Sequence, residues 1–232
     1  MSIKYRVEGC GMRVEQNNKY KAGNKKMLVN EVFYDIEGEG KYQGYATLFI
    51  RLSGCGLRCK WCDTKYAYNG GRDTGYTDLI RTVKKSPYKY INITGGEPLE
   101  QRDEVIKLIK GIKKTRPDIT LSVETNGAQN IRGVPARNLS MDLKLPSSGE
   151  HKKMLFSNLR VLKAKDQLKL VAGLESDLNY AKKVLSKYKV KAPIYVQPVY
   201  GKLSLAKIQK FVMKNKLGWK CSIQLHKIAE KG

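Results

Sequence analysis

From Val29 onward, short strand-like runs alternate with stretches of helical period, and few topologies accommodate that rhythm. The runs are Thr47–Leu52, Tyr90–Thr94, Thr120–Val123, Leu139–Leu143, Leu168–Val171, Ile194–Val199 and Ser222–Leu225. Helical patterns fall at Asp78–Lys84, Asp103–Lys114, near Met154–Leu162, at Asp177–Tyr188 and at Leu205–Asn215. A strand that returns to its sheet through a helix pairs parallel, with a right-handed crossover. The expected class is therefore α/β, with six or seven parallel strands, as an open doubly wound sheet or a complete or partial barrel. Either arrangement gathers its chemistry at the carboxyl ends of the strands. Gly54-Cys55, Gly95-Gly96-Glu97-Pro98, Glu124-Thr125-Asn126-Gly127 and Lys144 follow four successive runs, so all are placed at that one end. Residues 1–29 are polar and lack a strong period. They read as an N-terminal extension with one short strand at Lys4–Val7, ahead of a single α/β domain at 30–232.

A chain of 232 residues is long enough to bury one substantial core. No apolar run approaches the roughly 20 residues of a membrane span, and Met1–Glu8 lacks a signal-peptide core, so a soluble cytoplasmic protein without membrane partners is expected. Lys and Arg outnumber Asp and Glu by 45 to 21, a net charge of +24 that favours anionic partners without saying which. The lysines are spread over polar helix positions, as at Lys84-Lys85, Lys113-Lys114 and Lys182-Lys183, and read as solvated faces rather than a nucleic-acid surface. No interleaving of basic and aromatic residues typical of single-strand binders stands out in the sequence.

Five cysteines is an odd number, and three fall within Cys55-Gly-Leu-Arg-Cys59-Lys-Trp-Cys62, which suits a metal site better than a disulfide framework. The spacing C-x3-C-x2-C lets one loop wrap three thiolates around a compact iron–sulfur cluster. Three protein ligands on four irons leave one iron open, the mark of a reactive rather than a structural site. Zinc normally asks for a fourth ligand, and Cys10, Cys221, His151 and His226 are each isolated in sequence. Cys10 and Cys221 read as ordinary thiols, and His226 alone as a packed strand residue. Arg51, four residues before Cys55, is placed within reach of the cluster cavity.

The triad after a strand, with Trp61 before its third cysteine, resembles the radical S-adenosylmethionine (SAM) signature, and Gly95-Gly96-Glu97-Pro98 resembles that superfamily's SAM-binding element. The resemblance implies a partial (β/α) barrel of the radical SAM type, a 4Fe-4S cluster on Cys55, Cys59 and Cys62, and SAM chelating the fourth iron. Further motifs narrow it to the 7-carboxy-7-deazaguanine synthase family: Glu31–Gly40, Phe49–Cys55, Cys62-Asp63-Thr64, Ser140–Gly149, Gln197-Pro198-Val199 and Gln224-Leu225-His226-Lys227. Members usually carry Gln where this chain has Glu37.

By that resemblance, Trp61, Asp63, Gly96, Glu97, Asp142, Lys144 and Gln197 meet SAM, and the Thr64 hydroxyl meets Mg2+. Ile36, Glu37, Gly38, Arg51, Thr94, Glu124 and Gly232 meet the substrate, with Arg51 forking onto its carboxylate. The implied reaction turns 6-carboxy-5,6,7,8-tetrahydropterin into 7-carboxy-7-deazaguanine with loss of ammonia, on the way to queuosine or archaeosine. Reduced flavodoxin or ferredoxin would donate the electron, and the implied assembly is a homodimer. Two alternatives stay open at the level of sequence. One is a glycyl-radical-enzyme activase; the other is a basic, zinc-containing nucleic-acid-binding protein.

Overall fold

The computed structural model describes residues 5–8, 11–14 and 26–229. Among the described residues, eleven strands form a single sheet: β1 (Tyr5–Glu8), β2 (Gly11–Val14), β3 (Lys26–Ile36), β4 (Ala46–Leu52), β5 (Arg72–Gly75), β6 (Tyr90–Gly95), β7 (Thr120–Thr125), β8 (Asn138–Asp142), β9 (Gln167–Ala172), β10 (Ile194–Pro198) and β11 (Lys220–Cys221). The helices are α1 (Tyr76–Lys85), α2 (Arg102–Thr115), α3 (Glu175–Leu185), α4 (Leu205–Lys214) and α5 (Leu225–Ala229). Strand order is β1-β2-β3-β4-β6-β7-β8-β9-β10-β11, with β5 paired to β3, and the sheet does not close. The seven strands β4, β6, β7, β8, β9, β10 and β11 run parallel, as the alternation of strand and helix predicts. No helix among the described residues is long and apolar enough to cross a membrane.

Side chains alternate strictly across the pleat. Leu48, Ile50 and Leu52 of β4, Ile91 and Ile93 of β6, Leu121 and Val123 of β7, and Leu168 and Leu170 of β9 are buried on one face. They share a core with Leu79 and Val83 of α1 and with Val105, Leu108, Ile109 and Ile112 of α2, positions spaced to make one helical stripe. The opposite face is polar: Arg51, Asn92, Thr94, Glu124, Ser140, Asp142, Gln167 and Lys169. Parallel strands covered on both faces by apolar layers read as continuous apolar runs. Alternation here means that the concave face encloses a polar interior, which is what a partial barrel with a site inside requires.

β3 is antiparallel to β4, and the connecting loop folds under the barrel. Glu37 N donates to Tyr45 O (2.9 Å), and Gly44 N donates to Glu37 O (2.8 Å). β3 also crosses the expected boundary at 29/30, because Met27 and Val29 belong to the core. The short strand expected at Lys4–Val7 is β1, bonded to β2, which lies against the outer side of β3.

Two expected elements take other forms. The segment near Met154–Leu162 makes 3-10 turns at His151–Lys153 and Phe156–Arg160 instead of an α-helix. Its Asn158 is buried and donates to Gly127 O (3.1 Å) and Gln129 O (2.7 Å), so the segment is pinned to the connection after β7. At the other site, only Lys220–Cys221 pairs with β10, and Ser222–Leu225 is not a strand. There Leu225 N donates to Gly38 O (2.9 Å), turning the chain across the barrel and into α5. His226 accordingly sits on a helix, not a strand.

The Pro146-Ser147-Ser148-Gly149 stretch is held from outside the barrel by the fully buried Asp177. Its carboxylate accepts from Ser147 N (3.0 Å), the Ser147 hydroxyl, Gly173 N (2.8 Å) and Leu174 N (3.1 Å), capping α3 and tying the turn after β8 to the one after β9. Asp177→Ala strands those donors. It is expected to lower unfolding free energy by about 3 kcal/mol, read as a drop in the urea midpoint.

Candidate active site

The cysteine loop leaves β4 through Gly54, whose φ of 101° is open to glycine at little cost. Gly54 N donates to Ala67 O (3.0 Å), Gly96 N to Leu52 O (2.9 Å) and Glu97 N to Gly54 O (2.6 Å). A Cβ on Gly95 would collide with Leu52 O, and one on Gly96 with Gly54 O. The paired glycines, expected to admit a ligand, thus let the end of β6 press directly against the cysteine loop; both still line the cavity. The loop is braced by Glu100, which accepts from Gly56 N (2.5 Å), and by Glu150, which accepts from Arg58 N (2.9 Å). Arg58 lies 4.4 Å over the Tyr68 ring and donates to Cys55 O (2.5 Å).

Cys55, Cys59 and Cys62 rim a cavity of about 500 Å3 at the carboxyl ends of the strands. Among the described residues the thiols do not converge with other His, Cys, Asp or Glu on a single-ion site. In a 4Fe-4S cubane each thiolate binds its own iron, so a spread set fits. Burial pushes the Cys55 and Cys59 thiols up, so bound metal rather than the protein environment would hold them as thiolates. Asn126 Nδ2 lies 3.7 Å from Cys55 Sγ. The Nε2 of Gln197 is buried and has no hydrogen-bond partner among the described residues.

Glu97 does not face the cavity. It is fully buried and accepts from Leu99 N (2.9 Å), the Thr125 hydroxyl (2.9 Å) and Asn126 N (2.6 Å). Burial raises its pKa to about 7 despite those three donors. Gln197 likewise lies outside the cavity wall, with Oε1 accepting from Ser222 (3.3 Å). Trp61, Asp63, Thr64, Asp142 and Lys144 all line the cavity. The Thr64 hydroxyl donates to Asp63 Oδ1 (2.9 Å), while His226 Nε2 and Lys227 Nζ approach Asp63 Oδ2 at 3.6 and 3.7 Å. The approach of His226, with help from Thr64 and Lys227, holds the Asp63 carboxyl far below its usual range. The His226 ring is seated so closely over Gly38 that a Cβ there would collide with it.

Arg51 projects into the cavity between aromatic rings, its guanidinium 5.3 Å from Phe33 and 5.8 Å from Tyr66. Glu31 engages its Nε at 2.8 Å and also accepts from the Tyr66 hydroxyl (2.9 Å). That bond uses Nε alone and holds the planar fork in one orientation. Ile36, Glu37 and Gly38 line the far side of the same cavity, and Thr94 donates to Glu124 (2.9 Å) on its wall. Gly232 lies outside the described residues, as does Cys10.

At the centre of the floor stands Lys169, which the sequence reading did not single out. Its Nζ donates to Glu39 (2.7 Å) and Glu124 (3.2 Å) and lies 3.7 Å from Asp142, which also accepts from Lys144 (2.6 Å). Burial disfavours the charge on Lys169, but Glu124, Glu39 and Asp142 outweigh it and raise its pKa well above the usual value. Burial likewise opposes ionisation of Glu39 and Asp142, yet the lysines hold both carboxyls below theirs. Glu37 is the fourth acid of this floor and lacks a cation of its own. It accepts from Asn92 (2.7 Å) and Glu39 N (3.3 Å). Burial, reinforced by Glu124, pushes its pKa up to about 8, so it is largely neutral at pH 7. A lysine at the polar-face position of the otherwise apolar run Leu168–Val171 is the one signal that could have located this network in the sequence.

A polar half-barrel rimmed by three such thiols is the architecture of a radical SAM enzyme, and the Radical SAM superfamily model matches residues 49–135, from β4 to the connection after β7. The fold is that of a solved structure described as QueE from Escherichia coli, with a TM-score of 0.69 at 21% identity, covering 87% of this chain and 95% of that one. The curated 7-carboxy-7-deazaguanine synthase of Methanospirillum hungatei is 38% identical over 89% of this chain and 86% of its own length. Those of Thermoplasma acidophilum and Clostridium acetobutylicum are 36% and 34% identical, over 84% and 94% of their lengths. The chain belongs to the 7-carboxy-7-deazaguanine synthase family, an assignment that sets aside the activase and zinc-module alternatives. A 4Fe-4S cluster and SAM come with that membership.

The raised pKa of Glu37 has a definite sign in stability. Its neutral form is favoured in the fold, so its contribution is complete below the unfolded value of 4.5 and is lost as pH rises through about 8. Glu37→Gln cannot ionise, so the thermal midpoint of the variant should gain on that of wild type between pH 5.5 and 8.5, measured on reconstituted protein without oxygen. Parallel curves would remove the neutral-acid assignment.

Proposed function

We propose that the chain converts 6-carboxy-5,6,7,8-tetrahydropterin into 7-carboxy-7-deazaguanine with release of ammonia, in the biosynthesis of deazaguanine nucleosides such as queuosine or archaeosine. The observation that carries this reading is the pairing, in one cavity, of three loop thiols with an oriented Arg51 that suits a carboxylate substrate. The names of the curated relatives support the product.

Held by Cys55, Cys59 and Cys62, a 4Fe-4S cluster with SAM would supply the radical chemistry. The residues of the chain bind, orient and shield. Arg51 takes the carboxylate in its fork, its rings and Glu31 having already fixed its orientation. Thr94 and Glu124 on one wall, and neutral Glu37 with Ile36 and Gly38 on the other, offer the hydrogen-bonding edge that a pterin ring needs. As a neutral acid, Glu37 can donate a hydrogen bond where a carboxylate could only accept one. Gly232 is assigned to the substrate by resemblance alone.

Trp61, Asp63, Gly96, Asp142 and Lys144 are proposed to contact SAM, and Gln197, outside the cavity wall, is assigned to SAM by resemblance alone. Glu97 acts through Asn126 and the cysteine loop and is a positioning residue. Thr64, with the Asp63 carboxylate beside it, offers hard oxygen ligands that suit Mg2+. The segment from Ser222 through α5 covers the side of the barrel that the sheet leaves open, which keeps water from a reactive intermediate. Reduced flavodoxin or ferredoxin is the proposed electron donor, a homodimer the proposed assembly and the cytoplasm the proposed location.

The direct test is anaerobic turnover of reconstituted protein with SAM, dithionite, Mg2+ and 6-carboxytetrahydropterin, followed by chromatography and mass spectrometry. Product without stoichiometric loss of SAM is expected; SAM cleavage without product would overturn the substrate. Arg51→Ala should raise KM about 10- to 100-fold, the worth of a charge-assisted hydrogen bond, with iron content unchanged. An unchanged KM would remove Arg51 from the carboxylate.

A further inference from the structure

The ends of the parallel strands opposite the cavity carry a surface that the cavity chemistry does not use. Tyr42 and Tyr45, in the loop between β3 and β4, lean on Tyr90 at the start of β6, with ring centroids 5.3 and 4.2 Å from it. Tyr45 is 49% exposed although it is a large aromatic residue. Cations surround this group and are linked to it through successive contacts. Lys41 Nζ lies 5.5 Å over the Tyr42 ring and donates to Lys165 O (3.0 Å). Lys165 stands in the field of Lys113, Lys163 and Arg137, and Tyr42 in that of Arg137 and Tyr195. Lys220, at the start of β11, lies 5.3 Å over the Tyr195 ring.

The acids close to these cations are already engaged. Asp166 is buried and accepts from Leu139 N and Lys163 N, and Asp118 is paired with Arg116 at 2.9 Å. The patch is therefore basic and studded with half-exposed rings. Its members come from six separate connections or strand starts and from the last turn of α2, which is why no basic-aromatic motif is visible along the chain.

We propose that this face binds single-stranded nucleic acid, its tyrosines stacking on bases and its Lys and Arg side chains neutralising phosphates. Base stacking on exposed aromatic side chains beside a basic track is how single strands are held without sequence readout. An acidic protein would satisfy the cations, but the exposed ring of Tyr45, lying in their midst, adds a stacking surface that a base fits. A second copy of the chain, docked symmetrically, would set like charges face to face. The cavity opens at the other end of the strands, so this surface and the synthase reading stand or fall separately.

The test is fluorescence anisotropy of reconstituted enzyme with a fluorescein-labelled single-stranded RNA of about a dozen nucleotides, titrated at several salt concentrations and with inorganic polyphosphate as competitor. Binding should weaken linearly in log salt, by about 0.7 per phosphate contacted. Tyr45→Ala should weaken it roughly tenfold while leaving the salt slope in place. Arg137→Glu with Lys163→Glu should weaken it and flatten the slope by at least about 1.4. Thermal midpoint and turnover should stay at wild-type values in both variants. Tyr45→Ala binding as tightly as wild type, with polyphosphate competing equally well, would reduce the face to a general polyanion surface and overturn the proposal. So would the absence of RNA binding at low salt, or a slope that the charge reversals leave unchanged.

Discussion

One buried carboxylate holds the upper end of this barrel together. Glu97 joins the tip of β6 to the tip of β7 through Thr125 and Asn126, while its own backbone N–H holds Gly54 at the head of the cysteine loop. Burying an ion costs several kcal/mol, and hydrogen bonds to a charged group return about 1.5–3 kcal/mol each. A pKa of about 7, above the ordinary 4.5, shows that burial outweighs the hydrogen bonds and leaves Glu97 about half ionised at neutral pH. What the arrangement secures is geometry: three strand ends and the loop that carries the thiols cannot move independently. The side chain that the GGEP resemblance placed against SAM is instead spent on the frame around it.

The lower half of the cavity depends on a different balance. Lys169 is shared by Glu39, Glu124 and Asp142, residues drawn from the loop after β3, from β7 and from β8. One ammonium cannot neutralise three carboxylates, and Lys144 supplies the second cation through Asp142. Glu37 is left over, and neutralising itself is its cheapest solution. A site intended for a polar heterocycle thereby acquires a buried donor where the sequence shows only another acid.

The sheet explains how one frame carries both halves. Apolar residues at alternate strand positions seat α1 and α2 on one face, and the intervening positions, Phe49 and Val171 apart, are largely polar because they line the cavity. Arg51 pairs with Thr94 and Asp142 with Lys169, while Glu124 pairs with Ser140, two residues before Asp142 on the same face, so strand register brings all five to one cavity. The loop under the barrel and the segment leading into α5 then close the floor and the open side, meeting where Leu225 N reaches Gly38 O.

Much of this was legible in the chain itself. Period two alternating with period 3.6 determined a parallel α/β sheet, and the spacing of Cys55, Cys59 and Cys62 after a strand determined where the reactive end lies, because both signals are local and repeat along the backbone. Tertiary structure alone decided that Glu97 faces the frame rather than the ligand, that Lys169 unites three acids, and that the stretch from Ser222 to Leu225 turns into a helix across the opening. Such outcomes turn on which distant groups share a buried space and must divide their charges and hydrogen bonds among them. Residues more than 100 positions apart, as Glu39 and Lys169 are, meet only when the sheet is assembled.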